Sequence, residues 1–189
     1  MLFRHCSRAK MAQMDSHGKR LVRLYRGQGW KSIFARIRLL DAPYKGTEQL
    51  IPRKGAVLEL GCGEGLFSNY LALTSAKRKV IGIEIDKKRI KNANRGLSNT
   101  NFILGDATKF NLPKSDVIVM MHLLHHLKSF EEQESLAKKC KSRLGKSGKL
   151  IIVEIEPRLS FKYLITWLVD HFLVPLIFEG RLYSRIYVN

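Results

Sequence analysis

From Gly55 onward the chain alternates short apolar runs with longer stretches in which apolar residues recur at helical spacing. Ala56 to Leu60, Val80 to Ile85, Asn101 to Leu104, Val117 to Met121 and Leu150 to Ile155 are short and dense in Val, Ile and Leu. Near-continuous runs of that length suit strands buried on both faces of a parallel sheet. Between them, Leu66 to Thr74, Lys87 to Leu97 and Phe130 to Leu144 read as helices. The repeated strand-helix order predicts an α/β fold with a mainly parallel sheet and helices on both faces. Lys146-Ser147-Gly148-Lys149 carries the turn signals that return the chain into the fifth strand.

Two appendages flank this core. Ahead of it, Leu21, Leu24 and Tyr25, then Ile33, Phe34, Ile37 and Leu40, recur at helical spacing on either side of Gly27-Gln28-Gly29. They predict two short amphipathic helices with a glycine break, the second ending at Asp41-Ala42-Pro43. Behind the core, Phe161 to Phe178 is almost wholly apolar, broken by Lys162, Thr166, Asp170, His171 and Pro175. As a membrane span it is marginal in length, and Asp170 near its centre costs about 2.5 to 3.5 kcal/mol. A buried lid helix or an interfacial helix is the expectation. The chain thus divides into a basic helical segment at 1–45, a core at 46–156, and an apolar helix with a short strand at 157–189.

Charge adds a second layer. The 189 residues hold 34 Lys and Arg against 16 Asp and Glu, a formal net charge of +18. Half of that excess lies in residues 1–40, where ten basic side chains face a single acid, Asp15. Such a balance favours contact with nucleic acid or an anionic membrane surface, or is simply a solvated exterior. Cys6, Cys62 and Cys140 are widely spaced with no CxxC pair, which argues against a disulfide framework and a structural zinc site, so no metal is expected. The first fourteen residues are basic without the continuous apolar stretch of a secretory signal, and the expected compartment is the cytoplasm.

The first predicted strand runs into Glu59-Leu60-Gly61-Cys62-Gly63-Glu64-Gly65, and a helix follows at once. Glycines in that position permit a tight strand-to-helix turn and a close approach of backbone to ligand. The second strand ends in Gly82-Ile83-Glu84-Ile85-Asp86, with Glu84 placed 19 positions after Gly65. That is about the spacing at which an acid reaches a ribose diol. A dinucleotide fingerprint would be spaced GxGxxG, whereas this loop reads GxGxG. Residues 55–76 also contain no Lys or Arg in a strongly basic chain, which suits a ligand without phosphate.

From about Ile51 to Glu156 the chain resembles the class I S-adenosylmethionine-dependent methyltransferases. Val57 to Gly65 (VLELGCGEG) and Val80 to Asp86 (VIGIEID) look like the family's first two motifs. Gly105-Asp106-Ala107 matches its adenine-contacting position, and Asp116 to Leu127 (DVIVMMHLLHHL) is similar to the fourth-strand motif of small-molecule enzymes related to quinone C-methyltransferases. The resemblance implies a Rossmann-like, doubly wound fold with S-adenosyl-L-methionine as cofactor. It implies that Glu59, Gly61 and Gly63 cradle the methionine part, that Glu84 holds the ribose hydroxyls, and that Asp106 accepts from the adenine amino group. Cys62, Ile85, Ala107 and Met121 complete the expected cofactor-binding set. A turn or helix cap is the competing structural role for Asp106.

The acceptor is less legible, because a sulfonium donor is already activated and proximity supplies most of the rate. A general base is needed only when the nucleophile must lose a proton. Nucleobase amino-group methyltransferases place Asn or Asp, Pro-Pro and an aromatic after strand four, and this chain has Met120-Met121-His122-Leu123 there. A small or lipid-like acceptor is therefore expected, with loose contact to an anionic membrane. Of His122, His125 and His126, the last two read as structural, while His122 departs from the small residue common at its position and is the candidate catalytic residue. Two other readings stand beside this one: an RNA methyltransferase using the basic N-terminal region, and a donor-binding partner protein without activity. The family resemblance also implies a helix and two antiparallel strands after strand five, for which few residues remain, so a truncated form or completion by another chain is expected.

Overall fold

The computed structural model describes residues 14–27, 37–38 and 42–154. Helix α1 (Ser16–Leu24) starts where the Asp15 carboxylate accepts from the Gly18 amide at 2.6 Å, satisfying one of the orphan donors of the first turn. It is the first of the two amphipathic helices expected; of the second, only Ile37 and Arg38 are described, and both are helical. A short helix α2 (Tyr44–Gln49), which the apolar pattern does not signal, leads into the core. Then follow β1 (Gly55–Leu60), α3 (Leu66–Thr74), β2 (Arg78–Glu84), α4 (Lys87–Ala93), β3 (Thr100–Leu104), β4 (Ser115–Met121), α5 (Phe130–Arg143) and β5 (Leu144–Val153).

The five strands form one sheet in the order β3-β2-β1-β4-β5, and every pairing is parallel. Alternate residues of the central strands serve opposite faces. Val57, Val80, Val117 and Val119 pack with Leu21, Tyr25, Tyr44, Phe67 and Leu71 of α1, α2 and α3. Leu58, Leu60, Ile83, Ile118 and Met120 pack with Leu136 and Cys140 of α5. Both faces are covered, which is why the strands read as continuous apolar runs in the sequence. The order of strands reverses between β1 and β4, and in open α/β sheets the crevice beyond that switch point is where ligands bind.

Several strands start one or two residues earlier than the sequence pattern suggests, and three boundaries differ in ways that bear on the site or its supports. The helix expected over Lys87 to Leu97 stops at Ala93, because Asn69 takes the Ala93 carbonyl at 2.9 Å and the Asn94 side chain accepts from the Gly96 amide at 3.0 Å, a local turn that competes with the helix. Strand β2 ends at Glu84 and leaves Ile85 outside it, 67% exposed. Strand β5 begins at Leu144 rather than Leu150, with its register shifting between the Ser115–Leu144 and Val117–Lys149 pairs, so Lys146 to Gly148 form an irregularity within the strand. Its expected last residue, Ile155, and the apolar stretch Phe161 to Phe178 lie outside the described residues.

Buried polar side chains fasten the covering elements. The fully buried Arg78 guanidinium pairs with Glu48 of α2 at 2.8 Å and donates to the carbonyls of Pro52, Ile51 and Leu71 and to the Thr74 hydroxyl. Tyr25, wholly buried just past α1, donates to the Glu64 carbonyl at 2.6 Å and accepts from Asn69 at 2.8 Å. Tyr70 of α3 donates to Asp15 at 2.8 Å. The basic N-terminal segment is thus keyed into the core at both ends of α1.

Candidate functional site

The glycine turn after β1 is held by its own amides. Those of Gly61 and Cys62 donate to the Ile83 carbonyl at 2.9 and 3.0 Å, that of Gly63 to the Glu84 carboxylate at 2.7 Å, and that of Gly65 to the Cys62 carbonyl at 2.8 Å. Gly63 takes φ +54 and has nothing within 4 Å of where a Cβ would stand, so its outer side is open backbone. Gly61 takes φ +68, and a Cβ there would lie 2.7 Å from Leu123, which brings the loop after β4 into contact with the glycine turn. The Cys62 side chain points beneath the turn against Gly82, and burial pushes its thiol well up, aided by the charges of Glu59 and Glu84. Cys62 therefore presents no reactive thiolate, and its backbone amide and carbonyl serve to hold the turn.

Two carboxylates converge on this turn. Glu59, 4% exposed, accepts from the Ser68 hydroxyl of α3; burial pushes its carboxyl up to about 7, with Ser68 working against the rise and Glu84 adding to it. Glu84, at the end of β2, accepts from the amides of Gly63, Ile85 and Asp86 at 2.7, 2.9 and 3.0 Å. Three acceptances fill most of what a carboxylate offers, leaving about one lone-pair direction for a ligand hydroxyl. Beside it, Leu104 stands opposite Glu84 in the β2–β3 register and is 48% exposed, so Ile85 and Leu104 present an apolar rim at the ends of two adjacent strands.

Asp106, beyond β3, makes the turn anticipated as its structural role: one oxygen accepts from the Thr108 amide at 2.9 Å and hydroxyl at 2.7 Å. Burial opposes its charge, yet Thr108, Lys109 and Lys139 outweigh that and hold the carboxyl below the usual range. Lys139 of α5 donates to the carbonyls of Ala107 and Thr108 at 3.2 and 2.9 Å and so pins this loop to the sheet's other face. The second Asp106 oxygen lies 3.9 Å from the exposed Lys109 ammonium, a weak contact that a ligand donor can replace.

Met121, the last residue of β4, is buried, and His122 just beyond it has φ 56, the one non-glycine residue with positive φ among those described. The His122 amide donates to the Val153 carbonyl at 2.8 Å. A 3-10 turn (Leu124–His126) follows, and Glu154, the residue after β5, closes over it. Glu154 accepts from the Leu123 and Leu124 amides at 2.9 and 2.7 Å and faces His125 Nδ1 at 2.8 Å. Sequence reasoning missed Leu104, Tyr25 and Glu154. The signal for Glu154 was present, since an acid at or just past the end of an apolar strand is the pattern that marks Glu84.

All the predicted cofactor residues, Glu59, Gly61, Cys62, Gly63, Glu84, Ile85, Asp106, Ala107 and Met121, thus fall at or just beyond the C-terminal ends of β1 to β4. A parallel sheet in this order, with a glycine turn after β1 and an acid ending β2, defines the Rossmann-like fold of class I S-adenosylmethionine-dependent methyltransferases. The chain belongs to the methyltransferase domain family, which matches residues 58–152. It is 30% identical over 106 residues to (S)-coclaurine N-methyltransferase of Thalictrum flavum subsp. glaucum, covering 53% of this chain and 28% of that protein. It is 28% identical over 137 residues to demethylmenaquinone methyltransferase of Thermotoga maritima, covering 68% of this chain and 56% of that protein. Among solved structures, the DhpI complex with SAH shares the fold at a TM-score of 0.58 and 21% identity, over 75% of this chain and 71% of that one.

Proposed function

We propose that the chain binds S-adenosyl-L-methionine at the glycine turn and directs its methyl group to a small or lipophilic acceptor. The observation that carries this reading is the turn's hydrogen bonding: the amides of Gly61, Cys62, Gly63 and Gly65 are donated inside the protein, and two acids stand beside them. A pyrophosphate needs free amides and positive charge. A ligand carrying a sulfonium and an ammonium instead suits a turn flanked by carboxylates, and Glu59 and Glu84 fit it. Glu59 and the backbone at Gly61 to Gly63 would face its methionine part, Glu84 its ribose, Ile85 and Leu104 the plane of its base, and Asp106 the amino group. The donor supplies an electrophilic methyl group on sulfur. The protein's own contribution is to fix two partners in line and keep water away.

The acceptor reading is supported by Met120-Met121-His122-Leu123 after β4, where nucleobase amino-group enzymes carry a different sequence, and by two relatives named for coclaurine and demethylmenaquinone. His122 remains the residue proposed to meet the acceptor, at the sheet's switch point beside Met121.

Calorimetric titration with S-adenosylmethionine and SAH tests the donor site. Glu84→Ala is expected to weaken binding by about 1.5 to 3 kcal/mol, the range for a hydrogen bond to a charged group. Gly61→Arg, which puts a side chain where Leu123 already sits in a left-handed backbone, is expected to abolish it. Unchanged affinity in both folded variants would remove the site from this turn.

A further inference from the structure

We propose that His125 and Glu154 form a proton-accepting dyad on the acceptor side of the site, with His125 Nε2 as the base for a nucleophile that carries a proton at neutral pH. The proposal rests on the methyl-transfer reading above and adds to it a residue that the sequence pattern assigns to structure.

The geometry is one-sided. Glu154 Oε1 is taken by the Leu123 and Leu124 amides, which leaves Oε2 for His125 Nδ1 at 2.8 Å. An ionised carboxylate can only accept, so the proton of a neutral His125 sits on Nδ1, and Nε2 on the far side of the ring keeps its lone pair. Glu154 is held ionised: burial opposes the charge, but the His125 bond, the Leu124 amide and the nearby His122 outweigh it and keep the carboxyl below its ordinary range. Both side chains remain partly open, at 29% and 26% exposure, so a proton can reach and leave the ring. The groups facing the pair are His122 and, with ring centroids 4.0 Å apart, His126; from α5 the neutral Gln133 donates to the Leu124 carbonyl at 3.0 Å.

Position relative to the donor turn completes the case. The turn bearing His125 follows Leu123, whose side chain packs on Gly61, so the imidazole belongs to a loop in contact with the proposed donor site. If tying β5 to this loop were the whole purpose, the two amide bonds to Glu154 would suffice. In the reaction, the proton of an ammonium or phenolic acceptor passes to Nε2, the freed pair on nitrogen or oxygen bonds the methyl carbon, and the carbon–sulfur pair stays on sulfur. The imidazolium formed is stabilised by Glu154 and releases its proton to solvent.

The test uses the full chain. Long-range proton–nitrogen correlation of the imidazoles at pH 8 is expected to show His125 with hydrogen on Nδ1, and to show it on Nε2 in Glu154→Gln, whose amide can donate to Nδ1. A wild-type His125 carrying hydrogen on Nε2 overturns the dyad. Binding of SAH is expected to stay within about twofold in His125→Asn and Glu154→Gln. With a tetrahydroisoquinoline secondary amine and a hydroquinone as acceptor probes, His125→Asn is expected to lose about 10²- to 10⁴-fold in turnover at pH 7 and to recover as rising pH deprotonates the acceptor unaided. Wild-type turnover and an unchanged pH profile in His125→Asn, with SAH still bound, overturn the proposal. Failure of the wild type to bind SAH overturns the methyltransferase reading instead, and the tautomer result then stands apart from it.

Discussion

His122 is held at φ 56, a conformation that costs a β-carbon-bearing residue about 1 kcal/mol or more and persists only where the surroundings demand it. Here the demand is visible, because its amide must reach the Val153 carbonyl while the next two amides reach Glu154. His122→Gly should therefore leave stability unchanged or raise it by up to about 1 kcal/mol in chemical denaturation, whereas His122→Val should lower it by more than that. Donor affinity should be kept in the glycine variant and acceptor turnover reduced; loss of donor binding in a folded His122→Gly would move the residue to the cofactor side. Glu59 sets a pH dependence. Its carboxyl is raised from 4.5 to about 7, so the folded state favours the protonated form, and the stability this brings is full below about pH 4.5 and lost as pH rises through about 7. The span corresponds to about 3 kcal/mol. A cationic donor favours the ionised form, so donor affinity should climb over the same interval. Glu59→Gln should flatten both trends in thermal melts and calorimetry from pH 5 to 8, and parallel wild-type and variant curves would show that Glu59 does not titrate there.

At the level of elements, α1 braces the glycine turn proposed to hold the donor. Leu21 and Tyr25 are wholly buried, and the Tyr25 hydroxyl ends on the Glu64 carbonyl, inside the glycine turn, while Arg95 covers the ring at 4.3 Å. Tyr25→Phe keeps the ring and removes two hydrogen bonds, the one donated to the Glu64 carbonyl and the one accepted from Asn69, each worth about 1 kcal/mol. It should lower the melting temperature by a few degrees and loosen donor binding severalfold, mainly through faster dissociation, as stopped-flow measurement with a fluorescent donor analogue would show; an unchanged dissociation rate would separate α1 from the site. The sequence told of this helix but not of its attachment. Period and glycine placement revealed β1 to β4, α3 and the position of Glu84 beside the glycine turn, because strand burial and turn chemistry are local properties. Tyr25, Asn69 and Glu64 are brought together by tertiary packing over up to 44 positions, and so are Glu154 and His125 over 29, with no periodic signal to join them. Helix α2 was silent because its six residues carry a single buried aromatic, Tyr44, and owe their place to the Glu48–Arg78 pair.

Over the whole molecule, the net charge of +18 must be set against where the structure puts it. The apolar side of α1 is turned inward, with Leu21 and the following Tyr25 in one core cluster with α3 and the sheet and Val22 buried, so this helix has no apolar face left to insert into lipid. Its outer side keeps Lys19, Arg20, Arg23 and Arg26 exposed. No helix among the described residues is long and apolar enough to cross a membrane. Contact of α1 with an anionic surface would accordingly be electrostatic only, at about 1 kcal/mol for each basic residue near the surface, and would fade as the Debye length contracts from about 10 Å at 0.1 M salt to 3 Å at 1 M. Removing this charge by deleting residues 1–40 would also strip Leu21 and Tyr25 from the core. Replacing Lys19, Arg20, Arg23 and Arg26 together by Gln removes the charge and keeps the buried face. Co-sedimentation with phosphatidylserine vesicles at low salt should capture the wild type, release it as salt is raised, and capture less of the fourfold variant, while both proteins melt within a few degrees of each other. Equal recovery of the wild type in the supernatant with and without anionic vesicles at low salt would leave the basic side of α1 as solvated surface, and the proposed acceptor would then have to reach the site through solution.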